Sequence, residues 1–191
     1  TADYAFGKQL QADTTKFVQA AGGKVLGAAP YPFPGTTDFS SFLVQAQSSG
    51  AKVLGLANAG SDTVNSIKQA NEFGLNKSMH LAALLMFITD VHALGLQTAK
   101  GLVLTESYYW DLNDGTRNFC NKIKAKSPKN WPNMIHAGCY SATLHYLKTA
   151  KQMGAAEARK SGLATVEQMK KMPVEDECFG KTTIREDGRH L

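Results

Sequence analysis

The stretch AKVLGLANAGSD, Ala51 to Asp62, decides the fold. Its first half is a short apolar run without polar alternation, and its second half gathers Asn, Gly, Ser and Asp into a tight turn that opens a helix. A strand wetted on one side alternates, whereas one that is apolar at successive positions is covered on both faces, as in a parallel sheet. Gly55, Gly60 and Ser61 have the look of a phosphate loop, but the lysine that would reach the phosphates is missing. A strand-to-helix turn is the reading that stands, and backbone amides at such a helix start can hold a carboxylate.

The same unit repeats on either side. Upstream, Phe6, Leu10, Phe17, Val18 and Ala21 recur at helical spacing until Gly22-Gly23 ends the helix, and Lys24 to Ala28 reads as a strand. The prolines of PYPFPGTTDFSS then forbid regular structure, and Thr37 or Asp38 is placed to cap a helix carrying Phe39, Phe42, Leu43 and Ala46. A strand over Lys52–Ala57 leads to a helix near Asp62–Phe73. Further strands follow at Met79 to about Leu84 and at Leu102–Thr105. Strands and helices alternating over short links predict a doubly wound α/β domain. Ligands of such sheets sit beyond the carboxyl ends of the strands, here Asn58–Ser61, Ala82–Phe87 and Glu106–Trp110.

The last of these ends begins ESYYWDLND, Glu106 to Asp114. Tyr and Trp offer an apolar face with a polar handle, which suits either a loop folded on the core or the wall of a ligand cleft. In an extended stretch Tyr108 and Trp110 share one side and Tyr109 takes the other. Tyr108 or Trp110 is the expected cleft side chain.

Beyond Asp111 the character changes. Thr116–Lys126, His136–Met153 and Leu163–Met172 read as helices, and a strand is expected only at Phe179–Arg185. Ala137, Tyr140, Leu144 and Leu147 form one apolar face whose cover is not evident in the sequence. A further segment or a second chain is the expected cover for the helices after residue 115.

Composition narrows the function. With 191 residues, 43% of them hydrophobic, the chain can bury a substantial core. Its net charge of +5 is spread along the sequence, and Lys122 to Lys129 reads as a solvated helix end, which argues against a nucleic-acid partner. No apolar run approaches the roughly 18 residues of a membrane span. The sequence opens at Thr1 with neither an initiator Met nor a signal peptide, so the expectation is a mature product, a trimmed one or a fragment. Cys120, Cys139 and Cys178 have no metal spacing with one another or with the five histidines; one disulfide and a thiol, or three buried thiols, both fit. No nucleophile elbow, zinc-protease motif or dinucleotide fingerprint occurs, no cofactor is implied, and the histidines read as surface or boundary residues.

Five segments in order carry a family resemblance: DYAFGKQL, TTDFSSFLVQAQSSGAKVLGL, IKQANEFGL, YYWDLNDGTRNF and TTIREDGRH. Together they resemble the solute-binding proteins of ABC importers, of the branched-chain amino acid type. The resemblance implies a type I periplasmic binding protein with two α/β lobes, three hinge crossings, and a ligand taken between lobes that close on it. It makes residues 1–109 the second lobe, lacking its first strand, and residues 110–191 a hinge crossing and helical part of the first lobe, with a return strand near 179–185.

By the same resemblance Tyr4 and Phe6 stand where aromatics cover the ligand, and Asn58, Ala59 and Gly60 form the ligand loop after the second strand. Amino-acid binders of the family carry an acid after the third strand that takes the ligand ammonium. Here LAALLMF places Ala83 at that point, followed by Leu84. A buried ammonium without a partner would cost several kcal/mol, so an apolar or aromatic carboxylic acid is the expected ligand. The candidate binding set is thus Tyr4, Phe6, Asn58, Ala59, Gly60, Ala83, Leu84, Tyr108, Tyr109 and Trp110. The implied partner is a membrane permease, the implied compartment the periplasm, and the implied mechanism involves no bond chemistry. The alternatives are an enzyme of the doubly wound class with its catalytic residues elsewhere, and a ligand-sensing domain of a receptor or regulator.

Overall fold

A computed structural model describes all residues, 1–191, as mixed α/β, and the chain divides into two compact units, Thr1–Glu106 and Ser107–Leu191. The stretch ESYYWDLND straddles that division.

In the first unit the elements run α1 (Ala5–Ala20), α2 (Ser40–Ser48), β1 (Val53–Leu56), α3 (Ser61–Glu72), β2 (His80–Ala83), α4 (Ile88–Leu94), α5 (Leu96–Ala99) and β3 (Val103–Leu104). The strands form one parallel sheet in the order β1-β2-β3, with Val53 opposite His80 and Ala82 opposite Val103. Phe39, not Thr37 or Asp38, takes the N-cap position of α2; one residue earlier, the Asp38 carboxylate accepts from the Ser40 amide over 2.9 Å. Gly60 takes a left-handed φ of 59° at the turn from β1 into α3, a conformation that would strain a side-chain-bearing residue. The core gathers Phe39, Leu43, Leu56, Ile67, Leu75, Leu81 and Met86.

The strand expected over Lys24–Ala28 is not formed. These residues run without a ladder, and only farther along does Tyr31 pair, in parallel, with Ala2. A strand needs a neighbour for its amides and carbonyls, and here only Thr1–Asp3 supplies one, at Ala29 and Tyr31.

The second unit contains α6 (Asp114–Lys126), α7 (Met134–Met153), α8 (Ala155–Lys160), α9 (Gly162–Lys171) and the antiparallel pair β4 (Val174–Asp176) and β5 (Gly180–Thr182). Where one run over Phe179–Arg185 was expected there is thus a hairpin. Its turn is tied by Asp176, whose carboxylate accepts from the Cys178 and Phe179 amides at 2.8 and 2.9 Å. Asn113 and Asn133 cap α6 and α7, the first accepting from Thr116 and the second from Ile135 and His136.

Tyr108, Phe119, Ala137 and Cys178 make the small core of this unit, with Tyr140 packed against it. His145 is buried rather than at the surface or boundary expected of the histidines, and its Nε2 donates to the Met169 carbonyl over 2.9 Å, fastening α7 to α9. The face of α7 is covered unevenly. Tyr140 and Leu144 are half-buried, while Leu147 keeps 56% of its surface exposed. The cysteines are all free thiols, with Cys120 and Cys178 buried and Cys139 exposed. No helix is long and apolar enough to cross a membrane.

Candidate functional site

The carboxyl ends of the strands in the first unit bring several candidate residues together. Ala2 donates its amide to the Ala57 carbonyl over 2.9 Å, which sets the start of α1 beside the end of β1. Tyr4 then caps α1, and its ring stacks on Phe33 with centroids 4.3 Å apart and planes 15° from parallel; Phe6 lies 5.7 Å from it. Tyr4 and Phe33 are both more than one-third exposed, so the stacked pair forms an open aromatic surface. Phe33 carries no sequence signal beyond being an aromatic between two prolines, and went unnoticed as a site residue for that reason.

The loop after β1 is built from within. The Asn58 side chain is buried; its carbonyl oxygen accepts from the Thr63 hydroxyl at 2.7 Å, and its nitrogen donates to the Ser66 hydroxyl at 3.2 Å. Asn58 therefore stiffens the turn into α3. Ala59 and Gly60 are half-buried at the same turn.

After β2 the placement differs from expectation. Ala83 is buried in the core with Leu81, because alternate side chains of β2 point inward. Leu84 is half-buried and faces Gly55 across the sheet.

The acids near these ends are already engaged. Tyr31 donates its hydroxyl to the Asp62 carboxylate over 2.7 Å. Asp90 accepts from the Phe87 amide at 3.0 Å, Glu106 from the Ile88 amide at 2.8 Å, and Asp3 pairs with Lys8 at 2.8 Å. Burial raises the Glu106 carboxyl above the ordinary value, the Ile88 amide opposes this, and nearby Asp90 adds to the rise. Burial also raises the Tyr31 hydroxyl, reinforced by its bond to Asp62.

In the second unit, Tyr108 is a core residue. Its ring meets Phe119 edge-on at 5.9 Å, and its hydroxyl donates to the Thr116 carbonyl at 3.1 Å. The side expected to face a ligand therefore turns inward at this position, since the apolar faces of α6 and the β4–β5 turn close over it. Trp110 is half-buried, 6.2 Å from Trp131, and Tyr109 is the exposed member of the three, with 48% of its surface accessible. Among the described residues no group of three or more His, Cys, Asp or Glu could hold a metal.

Three solved structures place this architecture. A periplasmic binding protein from Burkholderia mallei is 51% identical with a TM-score of 0.90, over 100% of this chain and 49% of that one. A branched-chain amino acid ABC transporter periplasmic ligand-binding protein from Burkholderia xenovorans LB400 is 33% identical with a TM-score of 0.82, over 100% and 50%. An ABC transporter solute-binding protein from R. palustris, in complex with benzoate, shares the fold at 19% identity with a TM-score of 0.86, over 99% and 51%. The chain spans about half the length of these structures. No curated protein matches. The family model for periplasmic binding proteins matches residues 1–191, and the chain belongs to that family.

Proposed function

We propose that this chain is part of the solute-binding component of an ABC importer, working in the periplasm and delivering a small apolar or aromatic carboxylic acid to a membrane permease. The observation that carries the proposal is the state of the acids at the strand ends. Asp3, Asp62, Asp90 and Glu106 each hold an internal partner, and the family resemblance puts Ala83 where amino-acid binders carry the acid that takes the ammonium. A ligand ammonium buried beside Ala83 with no carboxylate at that point would remain unpaired, at a cost of several kcal/mol. The Tyr4–Phe33 stack, by contrast, offers a flat apolar surface of the kind an aromatic body packs against. The fold itself holds benzoate in the R. palustris protein.

The expected chemistry is binding and release without bond making or breaking. The backbone amides at the start of α3, after Gly60, are suited to a ligand carboxylate. A thermal-shift screen of small acids against the complete protein, followed by mass spectrometry of the bound compound, tests this reading. A stabilising acid recovered unchanged supports it; a chemically converted compound would point to an enzyme instead.

A further inference from the structure

The aromatic pair at the strand ends of the first unit is held by its loop. Tyr31, two residues before Phe33, is fixed at every end: its ring is buried, its hydroxyl donates to Asp62, its amide donates to the Thr1 carbonyl and its own carbonyl accepts from the Asp3 amide. Past Phe33, the Thr36 hydroxyl donates to the Pro32 carbonyl over 2.7 Å and closes the turn. Pro32 and Pro34 lock their own φ on either side of Phe33 and restrict the residues before them. The Phe33 ring, carried on this stiff turn, stacks 4.3 Å from that of Tyr4 at 15° from parallel, and Phe33 still keeps 43% of its surface exposed. A backbone stiffened in this way loses its freedom on folding rather than on binding, so the ring is pre-organised for a partner.

We infer that Phe33 selects the shape of the ligand, favouring a planar aromatic acid over an acid with a saturated ring of the same size. The inference rests on the carboxylic-acid reading above and narrows it from apolar or aromatic to aromatic. Tyr4 enters the candidate site by family resemblance; Phe33 enters only through this structure.

The discrimination follows from the geometry of the pair. Two rings that lie nearly parallel present a flat face, and a third ring keeps contact over its whole area only if it is flat as well. A cyclohexane ring is puckered, and its axial hydrogens hold its mean plane farther off. A gap of about 0.5–1 Å forfeits a quarter to a half of each contact's attraction. Hydrophobic burial alone gives no preference for the planar acid, since the saturated ring carries at least as much apolar surface. A preference for the planar acid is therefore a signature of stacking, and it is assigned to one side chain.

Titration calorimetry of the complete protein with benzoate and with cyclohexanecarboxylate, in the natural sequence and in Phe33→Leu and Phe33→Tyr, tests the assignment. The natural sequence is expected to bind benzoate about 3- to 10-fold more tightly than the saturated acid. Phe33→Leu keeps the apolar bulk without the flat face and should bring the ratio to about 1, chiefly by weakening benzoate, whereas Phe33→Tyr should preserve it. The exposure of Phe33 leaves little packing to lose, so the urea midpoint of both variants should hold. Should Phe33→Leu fail to fold, Phe33→Met carries the same expectation. Equal affinity for the two acids in the natural sequence, or a preference for benzoate that survives in Phe33→Leu, would overturn the inference and leave the ligand class standing. Binding of neither acid would overturn both.

Discussion

The Tyr31 hydroxyl rests 2.7 Å from the Asp62 carboxylate and ties the proline-rich segment before α2 to the first turn of α3. The Tyr31 ring is buried edge-on against Phe39 at 5.0 Å, so the bond sits on a fixed support. Tyr31→Phe keeps the ring and leaves the carboxylate without this donor. The expected loss is about 1–2 kcal/mol in urea denaturation; an unchanged midpoint would mean that water replaces the hydroxyl at no cost.

Alkaline pH tests the same residue and Tyr108. Burial raises both hydroxyls above the ordinary tyrosine value. The folded chain therefore keeps protons that the unfolded chain gives up, and the stability linked to them is full below about pH 10 and falls as the pH rises beyond it. Tyr108→Phe should flatten that fall. A stability curve of unchanged slope above pH 10 would contradict this.

The thiols should separate by reactivity. Burial, helped by Asp176 and Glu177, pushes the Cys178 thiol up to about 12, and Cys120 is raised by burial too. Cys139 is exposed on α7. An alkylating reagent at neutral pH is expected to label Cys139 first and to reach the other two only on unfolding. Peptide mapping after brief exposure reads the order directly.

Two glycines make an opposed pair. A methyl group at Gly7 would fall 2.1 Å from the Ala2 carbonyl oxygen, on backbone fixed by the pairing of Ala2 with Tyr31, whereas one at Gly138, within α7, meets nothing within 4 Å. Gly7→Ala should destabilise by about 2 kcal/mol or more, and Gly138→Ala should stabilise by about 0.5–1 kcal/mol. Thermal unfolding of the two variants should move in opposite directions.

Much of the architecture was legible because it rests on local pattern. The apolar run at Val53–Leu56, the Asn-Ala-Gly turn and the helical spacing after Ser61 are contained in about twenty consecutive residues. Strand 24–28 was legible as a propensity but is not a ladder, because strand pairing depends on a neighbour that local sequence does not supply. The aromatics of ESYYWDLND show the same limit. Period-two alternation separates Tyr109 from Tyr108 and Trp110, yet which side turns inward is decided by Phe119 and Phe179, distant in sequence. The inward turn of Ala83 likewise follows from how β2 packs over the core.

That packing makes Ala83 a sharp probe. If Ala83→Asp merely restored an ammonium partner, the variant would be stable and would gain amino-acid binding. Buried at 4% exposure among core residues, the new carboxylate should instead destabilise the fold by several kcal/mol. Soluble yield and the urea midpoint distinguish the two.

The most direct test of the proposed ligand class is titration calorimetry of the complete protein with benzoate-like acids and, separately, with leucine and isoleucine. The account predicts saturable heat with an aromatic or apolar acid and none with the amino acids. Micromolar binding of leucine or isoleucine, with no response to the acids, would contradict it.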